Sequence, residues 1–233
     1  MAMVIDQEFA DVSDIRTVLD FIRDTLYDWP YWDHILEHVQ VDSESQDYYT
    51  VFYIDSAGTT GIGIGEYTDE PYHTTSYAGI IKEDSFVRNV LNGLTFPCTI
   101  HIRANNTALY LASSSSDDVT DVYTNNCFAA RAVAQDGTNQ LTSVVGTLDC
   151  SSNVVGYHIY APGEDDVVKA YAVQTAAEYN CLLPLIGSPV GVCAGIFCPL
   201  MLEGDVEHIS TITMHGKTFY ICGNAVLIDY AVG

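Results

Sequence analysis

The sequence predicts a mainly β protein of the α+β kind: an N-terminal amphipathic helix packed on a β-sandwich or barrel-like body. Three observations predict it. A single segment near the N-terminus repeats apolar residues at helical spacing. From residue 48 onward, short runs of β-branched and aromatic residues alternate with turn signals. Finally, 48% of the 233 residues are hydrophobic and mean hydropathy is +0.12, although the formal charge is −23. Apolar surface on that scale has to be buried in a core, between chains, or both.

A lead-in, Met1 to Ala10, precedes the helix. Ile15, Val18, Leu19, Ile22 and Leu26 follow the rhythm of one helical face. Asp11 or Ser13 can accept from the free amides at its start, and Asp14 suits the positive end of its dipole. Trp29-Pro30-Tyr31-Trp32 ends the helix and brings in large aromatic area. Residues 1–47 therefore read as a helical and aromatic segment and 48–233 as a β-rich body, together one continuous unit.

Tyr48 to Ile54 and Ile62 to Tyr67 open the body as strands around the turn Asp55 to Gly58. Further strands are expected at Thr99 to Arg103, Ala108 to Ala112, Cys127 to Val133, Leu141 to Leu148 and Val154 to Tyr160. Val167 to Val173, Val190 to Phe197, His208 to Met214, Thr218 to Cys222 and Ala225 to Tyr230 complete the set. A second short helix is expected from Asp84 to Leu91, and Ser113 to Ser116 reads as a loop tip. No internal repeat divides the chain.

The charge excludes some functions. Thirty-one acidic residues oppose eight basic ones, a field that repels phosphate backbones and argues against direct nucleic-acid binding. Lysine is scarce and aspartate outnumbers glutamate about two to one, a pattern shared with proteins of saline environments. The start, Met1 to Glu8, lacks the basic and apolar parts of a secretory signal. Seven irregularly spaced cysteines read as free buried thiols rather than a disulfide framework. Cys181 to Leu202 carries no charge, but Pro184, Pro189 and Pro199 and three glycines interrupt it. Short buried strands are expected there in place of a membrane span, with Leu182, Leu183, Leu185, Ile186, Val190, Ile196 and Phe197 as interface candidates.

Three motifs invite chemistry. His34-Ile35-Leu36-Glu37-His38 matches the pattern of inverted zinc peptidases. On a helix, His34 and His38 would share a face and bind zinc while Glu37 polarised its water, with Glu83 or Asp84 as a further ligand. Without a helix the motif is a polar face beside an aromatic cluster. Trp29, Tyr31 and Trp32 fit a receptor- or glycan-binding surface, or a staple that fixes the helix to the body. Asp117 to Asp121 and Glu164 to Asp166 are oxygen-rich loops able to take a structural or adventitious divalent cation, without EF-hand spacing. No other cofactor is expected. Gly61-Ile-Gly-Ile-Gly65 lacks nucleotide-loop spacing and reads as a strand with one bare face, against which another backbone packs. No nucleophile elbow and no paired catalytic carboxylates are legible.

The layout of the chain resembles that of virion structural proteins of tailed bacteriophages and related archaeal viruses. An acidic helix followed by a Trp-containing segment (Ile15 to Trp32) carries the resemblance, with Tyr77-Ala-Gly-Ile-Ile81, Pro97-Cys-Thr-Ile-His-Ile102 and the closing His215-Gly-Lys-Thr-Phe-Tyr220 and Ala225 to Tyr230. Lys82 to Leu94 stands where such proteins often carry a Tyr-Pro-rich loop. The resemblance implies a structural subunit of the neck, tail or baseplate rather than an enzyme. Its partners would be copies of itself and other virion proteins, with no membrane, and its place the particle after assembly in the host cytoplasm.

Overall fold

The computed structural model describes residues 3–10, 15–40, 48–69, 73–82, 85–115, 122, 125–133, 141–151, 154–160, 167–172, 181–187, 191–200, 211–214, 217–221 and 227–229. Among them the chain is mainly β, with two antiparallel sheets and one helix.

The lead-in is itself a strand, β1 (Met3–Phe9), followed by α1 (Ile15–Tyr27). An antiparallel meander then forms the smaller sheet in the order β2 (His34–Gln40), β3 (Tyr48–Tyr53), β4 (Thr60–Asp69), β5 (His73–Lys82) and β6 (Ser85–Asn89). The chain returns through β7 (Cys98–Ala104), which pairs with β1 so that Ile5 faces Ile102. β8 (Ala108–Ser115) and β9 (Asn126–Val133) extend this larger sheet. From β9 one branch runs through β10 (Leu141–Ser151) and β11 (Val154–Tyr160) to β12 (Val167–Ala172). The other takes in β13 (Cys181–Gly187), β14 (Gly191–Leu200), β15 (Thr211–Met214), β16 (Lys217–Ile221) and β17 (Leu227–Asp229). The uncharged run from Cys181 thus makes a strand pair, as its prolines and glycines suggest. No helix among the described residues is long and apolar enough to cross a membrane.

One core holds the sheets and helix together. Val18, Leu19, Ile22 and Leu26 of α1 meet Phe52, Ile62, Ile64 and Ile80 of the smaller sheet and Ile100, Ile102, Leu109 and Leu111 of the larger one. The helical face read from the sequence is the buried one, and Ile22 and Leu26 are fully enclosed. The helix stops where expected. Trp29 N and Trp32 Nε1 both donate to the Leu26 carbonyl, at 3.1 and 2.8 Å, satisfying an orphan of the last turn. Trp29 Nε1 donates to the Asn105 carbonyl at 3.2 Å, and Asn105 Oδ1 accepts from Thr107 and Ala108 N at the β7–β8 turn. The end of the helix is thereby tied to the larger sheet.

Two expectations need correction. Asp84 to Leu91 is not helical: Ser85–Asn89 is β6, and Asn89 Oδ1 accepts from Ala78 N across the pair and from Leu91 N. Ser113 to Ser115 is the end of β8 rather than a loop tip. In β4, Ile62 and Ile64 enter the core while the glycines face the other side. A Cβ on Gly61 would meet the Phe52 carbonyl, the close backbone approach expected there, whereas over Gly63 lie the side chains of Ile81 and Phe86. Asp11, Ser13, Asp14, Glu83, Asp84, Val190 and the two oxygen-rich loops lie outside the described residues.

Candidate functional site

Strand β7 reads Cys-Thr-Ile-His-Ile-Arg-Ala. Ile100 and Ile102 enter the core, so the period of two turns His101 and Arg103 to the opposite face. There, β1 supplies Asp6, directly opposite His101 in the antiparallel register. Ser114 comes from β8 and lies diagonal to His101, because His101 faces Ala112 and Thr99 faces Ser114. All four residues share one face.

Their side chains form a continuous polar chain. His101 Nδ1 is 2.7 Å from Asp6 Oδ1, and Nε2 is 2.9 Å from Ser114 Oγ. An ionised carboxylate only accepts, which assigns the proton of the neutral imidazole to Nδ1 and leaves Nε2 to accept from the Ser114 hydroxyl. Arg103 Nη2 donates to both Asp6 oxygens at 2.8 and 2.9 Å, and Nη1 donates to the carbonyls of Ile5 and Ile102 at 2.8 and 3.1 Å. The Tyr220 ring stands 5.2 Å from the guanidinium carbon. Arg103 is 1% exposed and His101 6%, whereas the Asp6 side chain is about half exposed. Burial alone would push the Asp6 carboxyl up, but the His101 hydrogen bond and the Arg103 charge outweigh it and hold the group below its ordinary value.

This arrangement can do two things. It ties the edge strand β1 to the sheet interior through an ion pair, and it holds an imidazole with one nitrogen on a carboxylate and the other on a serine hydroxyl. Sequence reading missed the set. Its visible signal was the Ile-His-Ile-Arg alternation of β7, but Asp6 lies 95 residues from His101 and sat in a segment not read as a strand.

The zinc pattern is dispersed. His34 to His38 lies on a strand, not a helix. The His34 ring stacks on Tyr53 at 4.8 Å, while Glu37 accepts from Tyr27 Oη at 2.6 Å, and Tyr27 packs edge-on against Phe52. Tyr53 and Phe52 are consecutive in β3 and point to opposite faces, so the imidazole and the carboxylate are separated by the sheet. The His38 side chain lies outside the described residues. Among the described residues no group of three His, Cys, Asp or Glu is placed to hold a metal.

The aromatic residues pack together. Trp29 is buried, Tyr31 and Trp32 are half-buried, and Trp29 meets both edge-on at 5.5 and 4.7 Å. Arg131 lies over the Tyr31 ring at 4.3 Å, occupying a face that a sugar would need. Cys98 and Cys127 are free and buried, as expected of core thiols. Side chains of the interface candidates in β13 and β14 lie outside the described set. No protein-family model matches the chain, and neither curated proteins nor solved structures give a match.

Proposed function

We propose that the chain is a structural subunit of a viral particle, in the neck, tail or baseplate, that works by assembling with copies of itself and with other virion proteins. One observation carries this reading. Among the described residues the exposed large apolar side chains are Val4, Tyr27, Leu36 and Val87, and three of these four lie on edge strands. Val4 is on β1, an edge of the larger sheet; Leu36 on β2 and Val87 on β6 mark the two edges of the smaller one. An edge offers unpaired backbone groups, which chains that remain alone guard with lysine, proline or a cover. β1, β2 and β6 contain neither lysine nor proline. Apolar edges of this kind suit pairing with a neighbouring chain. The layout resemblance over Ile15 to Trp32, Tyr77 to Ile81 and Pro97 to Ile102 supplies the viral part of the proposal.

Sedimentation of the purified protein at low and high salt tests it. Self-association that strengthens as salt screens the −23 charge is the expected result. A monomer under all conditions, together with absence of the chain from purified particles, would overturn the reading.

A further inference from the structure

We propose that Ser114 is an activated nucleophile that accepts a small acyl group from an ester, with His101 as its base and Asp6 positioning the imidazole. This activity is additional to assembly and stands on different residues.

The argument begins with what a purely mechanical tie would need. Arg103 alone already joins β7 to β1 through both Asp6 oxygens and the Ile5 carbonyl. His101 adds little to that tie. It instead carries the carboxylate's influence to a hydroxyl on the next strand, 2.9 Å from Nε2. The flanking serines differ. Ser113 Oγ donates to the Val90 carbonyl, and Ser115 Oγ accepts from Thr95 Oγ1 at 2.9 Å, so both hold neighbouring segments. Strand alternation turns Ser114 away from them and toward the imidazole. Arg103 in turn keeps Asp6 ionised, as an orienting carboxylate must be. The fold is unlike those that usually carry this constellation, but the roles depend on geometry, not on chain order.

The chemistry closes without a co-reactant other than water. Ser114 Oγ attacks the ester carbonyl carbon while its proton passes to His101 Nε2. The bond to the leaving alcohol breaks, the alcohol takes that proton, and the acyl group stays on Oγ. Water then adds to the acyl carbon, giving a proton to Nε2, and the acid departs as the serine hydroxyl re-forms. Ser114 is 3% exposed, which restricts the substrate to small acyl groups such as acetyl.

The test is covalent labelling of the full chain with a small alkyl fluorophosphonate, which phosphonylates a base-activated serine and releases fluoride. A single adduct, mapped to Ser114 by peptide mass, is expected; Ser114→Ala should abolish it and His101→Gln should slow it roughly 1000-fold. Hydrolysis of p-nitrophenyl acetate should fall in the same order. If His101→Gln does not fold, Ser114→Ala, which removes one oxygen, carries the test, with its fold checked by thermal melting. A folded wild-type protein that takes no label, or a label that persists in Ser114→Ala, overturns the proposal. A lower melting temperature of Ser114→Ala without labelling of the wild type would identify the bond as structural and overturn it equally.

Discussion

Arg103 and Asp6 join the interior of the larger sheet to its edge, with Nη2 2.8 and 2.9 Å from the two carboxylate oxygens. The pairing is asymmetric. The guanidinium is enclosed, while the Asp6 side chain is about half exposed. Removing the carboxylate strands a buried charge, and removing the guanidinium merely returns a carboxylate toward water.

Asp6→Ala should therefore cost about 3 kcal/mol, the lower end for breaking a buried pair. Arg103→Met should cost less than Asp6→Ala. Urea unfolding of both variants checks the order.

Acid should find the same bond. The Asp6 carboxyl titrates below its ordinary 3.8 when folded, so its contribution is complete above that value and disappears as pH falls through the lower, folded one. Asp6→Asn should flatten the fall in stability below about pH 4 relative to the wild type. Melting temperatures measured between neutral and strongly acid pH would show it. An unchanged acid limb in Asp6→Asn would contradict the assignment.

Alkaline pH acts through the core thiols. Burial pushes Cys98 up to about 11 and Cys127 up to about 12. The stability this represents is complete below the ordinary thiol value of 9.0 and is lost as pH rises through the folded values. Iodoacetamide at mildly alkaline pH should spare both residues in the folded protein and alkylate both in urea, as read by peptide mass.

Gly63 tests the bare face of β4. A Cβ there would run into Ile81 Cδ1 and come within 3.3 Å of Phe86 Cε1. Gly63→Ala should cost about 1–3 kcal/mol as overpacking, and pairing it with Ile81→Ala should recover part of that loss. Additive losses in the double variant would remove Ile81 as the obstacle.

The edge strands separate assembly from folding. Leu36→Lys and Val87→Lys place charge on exposed positions, so each should change stability by no more than about 0.5 kcal/mol. Their combination should nevertheless lower the self-association of the wild type. Sedimentation beside urea unfolding distinguishes the two effects.

Where one element buries a periodic face, its pattern alone was enough to read it. The face of α1 from Val18 to Leu26, the helix stop at Trp29-Pro30, and the strands with β-branched runs were all legible, because 3.6- and 2-residue periods record which side meets the core. Ser85–Asn89 was misread as a helix because its strand state comes from pairing with β5 and from the Asn89 side chain, neither of them a local preference. His34, Glu37 and His38 show the converse error. Their spacing suggests one site only on a helix, and the pairing of β2 with β3 sends His34 and Glu37 to opposite faces.

The sequence by itself determined the class of the protein, its helix, its acidic surface and the burial of its apolar residues. These follow from composition and short-range period, which every window of the chain carries. Only the tertiary structure decided that β1 closes onto β7, and with it that Asp6, His101, Arg103 and Ser114 meet on one face. That meeting depends on a register between strands far apart in the chain. Register is set by the packing of whole sheets, so no local stretch of residues contains it.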